Sequence, residues 1–286
     1  MVKRNGATHE PGAREALLRR LAQTTMDRAD VLATCSDRPN AIERLLATPA
    51  MGRAHEQLAR WMRDAGMEVR LDGAANLMGR DAVTPRDAVR VAFGSHIDTV
   101  IDAGRYDGVL GILLGVAVVE VLRAMPLAPP VAVDVWAFSE EEGVRFALPF
   151  IGSRALVGTL DDACLRRRDA DGKSLSDALR QFGAAPAQLD QCPASLTGVR
   201  AFIEPHIEQG PELERQNMSL GSVQSIAGQS RYQLVFAGQG GHAGTTAMAS
   251  RTDALTAAAA WIATIDQTAC AFPELVATVG RLEVEP

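Results

Sequence analysis

VRVAFGSHIDTVIDAGRYDGVLGILLGVAVVEVLRA, residues 89–124, is the stretch on which the fold turns. Val89, Val91 and Phe93 alternate with other residues and stop at Gly94, the period-two pattern of a strand. Residues 108–124 are then almost continuously apolar and read as a buried helix, which Pro126 is expected to close. Val131, Val133 and Val135 begin a second strand that ends near Ser139. A strand, a buried helix and a second strand make an α/β unit with a largely buried sheet.

The pattern extends in both directions. Residues 14–23 and 53–65 read as amphipathic helices. In the second, Leu58, Trp61, Met62 and Ala65 fall at helical spacing and Gly66 is a stop signal. Val69 and Leu71 alternate with polar residues as in a strand. Leu175 to Phe182 reads as a helix, and Phe202 to His206 as the end of another strand. Arg166, Arg167, Arg168, Asp169, Asp171 and Lys173 read as a solvated loop of mixed charge. After Gly228 the pattern changes. Arg231 to Phe236 reads as a strand, residues 251–265 as an Ala-rich helix and Leu275 to Val284 as a strand, which is half of a small α+β domain. The expected division is residues 1–227 and 228–286. No internal repeat is visible.

The totals narrow the class. The 286 residues are 47% hydrophobic and 22% charged, enough for a sizeable core and one or two domains. The formal charge is −6 and no basic stripe occurs, which argues against nucleic acid as a partner. Cys35, Cys164, Cys192 and Cys270 are scattered with no C-x-x-C pair, the usage of free thiols in a reducing cytoplasm. Residues 1–10 are polar and carry no apolar signal core. The most apolar run, Val109 to Leu122, contains Glu120 and is too short for a membrane span.

The chemistry-bearing residues gather at expected strand ends, where open α/β sheets place ligand sites. His96 and Asp98 follow the first strand. On an extended strand both would point to one side, so that the imidazole binds metal while the carboxylate orients it. A polar strand end is the plainer alternative. Asp107, before the buried helix, reads either as a ligand or as a helix N-cap. Glu140, Glu141 and Glu142 follow the second strand. Three adjacent carboxylates repel one another, so they belong either beside cations or on a solvated turn. His206 follows a third apolar strand. Mixed imidazole and carboxylate ligands suit Zn²⁺ or Mn²⁺. Two ions about 3.5–4 Å apart activate water and polarise a carbonyl. Glu141, next to Glu142, would then shuttle the proton.

In order, the runs are GSHIDTV, GRYDGVLG, EEEGVRF with GSRALVG, EPHIEQGPELE, and GQGGHAGTTAM with RTDAL. Together, over roughly residues 14–285, they resemble the metal-dependent amidohydrolases related to the dinuclear aminopeptidases and acylases. That group includes allantoate amidohydrolases, N-carbamoyl-L-amino acid hydrolases and β-ureidopropionases. The resemblance implies a zinc-exopeptidase-like catalytic domain, a mixed sheet flanked by helices, with an inserted α+β lid domain that dimerises. It implies two divalent ions, Mn²⁺ ahead of Zn²⁺. His96 would bind one ion, Asp107 would bridge both, and Glu142 and His206 would complete the set. It makes Glu141 the general base and Asp98 the residue that orients His96. Gln209 resembles a substrate contact. His242 resembles the lid histidine that stabilises the oxyanion in the other subunit of a homodimer. Residues 102–107, 142–146 and 226–231 are most similar to the allantoate amidohydrolases. They imply hydrolysis of allantoate's ureido amide in a cytoplasmic purine-salvage setting, releasing ammonia and CO₂ and leaving ureidoglycine. Hydrolysis of N-carbamoyl-amino acids is the nearest alternative.

The resemblance also sets an expectation of incompleteness. The family's last ligand histidine, and an Asn and an Arg that grip substrate, would lie beyond Pro286, and no His follows His242. These 286 residues alone are therefore expected to be inactive or nearly so, with a disrupted, non-catalytic gene product as the reading from another class. Ala247 stands where relatives often carry Pro.

Overall fold

The computed structural model describes residues 11–82, 88–124 and 131–285. The expectations for residues 1–10 and for Pro126 fall outside them. The chain divides into two compact units, residues 1–219 and 220–286.

The first unit is built on one five-stranded sheet. Its strands are β1 (Met67–Leu71), β2 (Leu77–Asp81), β3 (Arg90–His96), β4 (Ala132–Phe138) and β5 (Val199–Ile203), in the order β1-β2-β4-β3-β5. β1 and β2 run antiparallel to their neighbours, whereas β3, β4 and β5 are mutually parallel. The β3–β4 register pairs Arg90 with Ala132 and His96 with Phe138, so both strands end level. The crossover between them is α3 (Val109–Ala124). Gly111 lets α3 settle close, because a Cβ there would stand 2.2 Å from the Pro205 carbonyl oxygen.

α1 (Pro11–Ala33) packs on α3, and α2 (Pro49–Asp64) packs on β1 and β2. Thr48 caps α2 by accepting from the Met51 amide, with Pro49 in the first turn. Ile112, Leu113, Val116, Val135, Met51, Leu58 and Met62 make the core between these helices and the sheet. The short helices α4 (Ile151–Leu156), α5 (Asp162–Leu165), α6 (Leu175–Phe182) and α7 (Glu212–Arg215) follow β4.

The sheet is largely buried, as expected: β4 is buried along almost its whole length, while β5 is an edge strand with Phe202 and Ile203 exposed. Two expectations of local structure need correction. The third strand ends at Ile203, and Pro205 and His206 lie past it, since proline has no N–H for a ladder. The charged run at 166–173 is not simply solvated. Asp169 accepts hydrogen bonds from Arg145 Nε and Nη2 at 3.1 and 3.0 Å, which ties this loop to the turn after β4.

In the second unit, α8 (Ala254–Cys270) forms, capped by Asp253, which accepts from the Thr256 amide at 2.9 Å. Residues 231–236 and 275–284 form no strands. A strand exists only when a neighbour answers its N–H and C=O groups, and these runs have no such ladder among the described residues. Ala258 is the only buried residue of this unit among those described. No described helix is long and apolar enough to cross a membrane. All four cysteines are free.

Candidate metal centre

β3, β4 and β5 all end at one edge of the sheet, and each releases a segment carrying ligand-type side chains. β3 ends on His96, which is buried. Its Nδ1 lies 3.0 Å from the Asp98 carbonyl oxygen and 3.5 Å from Asp98 Oδ1. A carbonyl oxygen only accepts, so Nδ1 carries the hydrogen and a neutral His96 presents its lone pair at Nε2. His206 is arranged the same way, with Nδ1 2.8 Å from the Ile207 carbonyl oxygen. The two Nε2 atoms face each other at 3.4 Å across stacked rings. Asp107 Oδ1 lies 3.8 Å from the first and 3.3 Å from the second. Two lone pairs and a carboxylate oxygen therefore converge on one point, an arrangement that attracts positive charge.

The turn after β4 supplies the acidic side. Asp98 Oδ1 accepts the Glu141 amide at 2.9 Å, and Oδ2 accepts the Glu142 amide at 3.0 Å. One carboxylate thus fixes both His96 and the acidic turn. Burial raises Glu142 to about 7, against the pull of His96 and helped by Glu141, Asp98 and Asp107. Burial also raises Glu141, with His96 opposing and Asp98, Glu204 and Asp107 adding. Glu140 is 1% exposed. Burial and then Asp98 push it up to about 8, and neither of its oxygens has a hydrogen-bond partner among the described residues. The nearby Val144 and Arg145 amides pull the other way without reaching bonding geometry. Burial pulls His96 down, but the hydrogen bond and charge of Asp98, with Glu141, override it and raise His96 to about 9.

Among the described residues, two groups of donors have ligand atoms within 4.8 Å of one another: His96, Asp107 and His206, and His96, Glu141 and Glu142. His96 has only one free lone pair, so it cannot serve both groups at once. Imidazole nitrogens with carboxylate oxygens fit Zn²⁺ or Mn²⁺. The converging Nε2 atoms and the unanswered carboxylates are the structural reason that a cation fits here.

The structure brings His96, Asp98, Asp107, Glu141, Glu142, His206 and Gln209 together. Gln209 Nε2 donates to Asp107 Oδ1 at 3.0 Å, from a backbone held at φ 56°. Asp98 lies past the end of β3, so it reaches His96 through a turn and not through strand alternation. His242 lies in the second unit, in an exposed turn where its Nδ1 accepts the Gly244 amide at 3.1 Å. Residues 94–96 and 204–206 are also clasped by a contact that sequence reasoning missed: buried Ser95 donates to Glu204 Oε1 at 2.7 Å. Gly108 was missed as well. It holds φ at 66°, and a Cβ there would stand 2.6 Å from the His96 ring. The Asp-Gly pair was its one sequence signal.

A mixed sheet whose parallel strands end in imidazole and carboxylate donors defines the class, an α/β protein with residues that could hold a cation at the strand ends. The chain belongs to the peptidase family M20/M25/M40, whose model matches residues 92–280. It is 42% identical over 245 residues to an N-carbamoyl-L-amino acid amidohydrolase of Geobacillus stearothermophilus, covering 86% of this chain and 60% of that protein. It is 40% identical over 260 residues to a probable allantoate deiminase of Oryza sativa subsp. japonica, covering 88% of this chain and 52% of that one. Among solved structures, a hydantoinase/carbamoylase family amidase from Burkholderia ambifaria matches with a TM-score of 0.67 and 32% identity. That match covers 89% of this chain and 61% of the other. The chain thus spans about half to three fifths of the length of these relatives.

Proposed function

We propose that this chain carries the metal centre of an amidohydrolase that cleaves the C–N bond of a ureido group on a small carboxylate, with allantoate as substrate. The convergence of His96 Nε2, His206 Nε2 and Asp107 Oδ1 is the observation that carries the reading. His96, Asp107, Glu142 and His206 would hold two divalent ions, with Mn²⁺ ahead of Zn²⁺. Asp107, whose Oδ1 lies near both imidazoles and whose carboxylate has a second oxygen to offer, would be the residue suited to be shared. When bound, the ions supply Lewis acidity towards the ureido carbonyl and lower the pKa of water.

The chain's own residues do the rest. Asp98 holds the hydrogen on His96 Nδ1 and keeps Nε2 free. Glu141 takes the proton of the attacking water on its carboxylate and returns it to the departing nitrogen. Its raised pKa suits both halves of that task. Water adds to the terminal ureido carbonyl and the bond to the terminal nitrogen breaks, releasing ammonia; the carbamate left behind then loses CO₂ and its nitrogen takes up a proton, giving ureidoglycine. Residues 228–286 would belong to a lid and dimerisation domain. There, His242 would donate to the developing oxyanion in the partner subunit of a homodimer. The GQGGHAGTTAM run and the exposed His242 imidazole support this role.

The 42% identity to a carbamoyl-amino acid amidohydrolase favours N-carbamoyl-L-amino acids as a second reading. The test is a substrate comparison on the protein purified from the cells that make it, with Mn²⁺ added and after chelation. A kcat/KM for allantoate well above that for N-carbamoyl-L-amino acids, abolished by chelation, supports the first reading. The reverse ratio supports the second. Turnover that survives complete chelation sinks both.

A further inference from the structure

We infer that Arg44 is a positioning residue for the cation centre, acting through the segment that carries Asp98; this rests on the metal reading above. Arg44 lies in the loop before α2, outside every motif that marks the site. It is 2% exposed and is among the largest fully buried side chains of the described residues.

Its hydrogen bonds grip the chain on both sides of Asp98. Arg44 Nε donates to the Ile97 carbonyl oxygen at 2.6 Å. The Arg44 amide donates to Thr99 Oγ1 at 2.8 Å, and the Thr99 amide donates back to the Arg44 carbonyl at 3.1 Å. Nη1 anchors the guanidinium to the rest of the unit through the carbonyls of Leu32 and Cys35, at 2.9 and 3.2 Å. Residues 97 and 99 are thus both tied to one side chain and its backbone. Asp98 between them holds His96 Nδ1 and the amides of Glu141 and Glu142. The order of dependence runs from Arg44 to the 97–99 turn, then to Asp98, then to three residues of the centre.

Chemistry explains why an arginine stands there. A guanidinium keeps its charge when buried and offers donors in a fixed fork, so it can hold several carbonyls at once. An apolar side chain of similar volume would fill the space at lower desolvation cost. The charge also faces the acidic cluster: burial lowers the proton affinity of Arg44, while Cys35 and Asp98 draw it back up. A lysine would keep the charge and lose the fork.

The test compares Arg44→Lys with Arg90→Lys. Arg90 is a buried arginine at the opposite end of β3 that bonds the carbonyls of Ser195 and Thr197 at 3.1 and 2.8 Å. Two readouts are taken on the full chain. One is Mn²⁺ affinity from the electron paramagnetic resonance of free Mn²⁺. The other is hydrogen exchange of the Glu141 and Glu142 amides without metal. Arg44→Lys is expected to weaken Mn²⁺ binding by about 10-fold or more, the effect of disturbing residues behind a ligand. It should also speed exchange of those two amides. Arg90→Lys should lower Tm and leave both readouts unchanged. Thr99→Val removes only the hydroxyl that accepts the Arg44 amide, and should weaken Mn²⁺ binding several-fold even if Arg44→Lys does not fold. Unchanged affinity and unchanged exchange in the folded variants overturn the inference. A parent chain that binds no Mn²⁺ breaks the metal reading and this one with it. Parent binding with unaffected variants breaks this one alone.

Discussion

The two ends of the parallel β3–β4 pair carry buried charge in opposite ways. At the amino end, Arg90 pairs with Asp134 across the strands, and Arg90 Nη1 reaches the Ser195 and Thr197 carbonyls. Opposite charges meet there, although Arg90 Nε and one Asp134 oxygen have no hydrogen-bond partner among the described residues. At the carboxyl end, Asp98, Asp107, Glu140, Glu141 and Glu142 gather around His96 and His206. Like charges meet, and they are relieved by taking up protons: Glu140 rises to about 8, Glu142 to about 7 and His96 to about 9. An ion pair closes the first end from within. At the second end Arg44 and Arg145 offset only part of the negative charge, and the rest draws positive charge from outside, as protons or cations. Strongly perturbed groups gathered at one end of a sheet mark a candidate ligand site.

The largest expected effect breaks the chemistry while keeping the size and shape of the side chain. Glu141→Gln in the protein that turns over substrate should lower kcat by about 10²–10⁴, the usual worth of a general acid–base group. Mn²⁺ affinity should change only a few-fold. Single-turnover kinetics beside Mn²⁺ titration checks this, and a parallel fall in affinity would make Glu141 a ligand instead. The next effect belongs to the amino end. Asp134→Ala strands a buried guanidinium and should cost about 3–5 kcal/mol. Urea unfolding measures that loss, and Mn²⁺ affinity should hold. A change in affinity there would erase the contrast between the two ends.

Much of this contrast was legible in the sequence, and the limits have physical causes. β3, α3 and β4 were legible because their apolar residues follow one period each. His96, Asp107, Glu142 and His206 were legible because their residue types are costly at apolar strand ends. β2 was missed, since Leu77–Asp81 mixes Gly79 and Arg80 into five residues and shows no alternation. Arg44 and Ser95 were missed because a buried polar group declares itself only through its partners, here 53 and 109 residues away. The strands expected at 231–236 and 275–284 had the right residue types, but strand formation depends on a neighbour that local pattern does not supply.

Acid and cation should trade places at the carboxyl end. Glu140 and His96 have folded-state pKa values raised above their ordinary ones, so the folded chain holds more protons than the unfolded chain at neutral pH. Their contribution is present at low pH and is lost as pH rises through about 8 and about 9. Without metal, Tm should therefore fall between pH 6.5 and 8. That window excludes His55, which burial and Arg44 push down to about 3. His55 stays neutral in the folded chain there, and its own destabilising effect begins only as pH drops below 6.5. Mn²⁺ at 100 times its Kd should add about 3 kcal/mol. At one fixed Mn²⁺ concentration the gain should be greater at pH 8 than at pH 6.5, because protonated ligands do not bind metal. Thermal unfolding at the two pH values, with and without Mn²⁺, checks both signs.

The smallest effect tests how the β5 side is joined to the centre. Ser95 donates to Glu204 Oε1 from a fully buried position, two residues before His206 on the other strand's exit. Ser95→Ala removes that donor and leaves Glu204, which is exposed, free to turn to water. The stability loss should be about 1 kcal/mol, the net worth of one hydrogen bond. If the clasp sets the approach of His206 to His96, Mn²⁺ affinity should also fall a few-fold, because the two Nε2 atoms would no longer be held face to face. A loss of stability with unchanged Mn²⁺ affinity would mean that Pro205 and the close packing of Gly111 against it hold His206 without the clasp. The carboxyl end would then rest on α3 as much as on the strands.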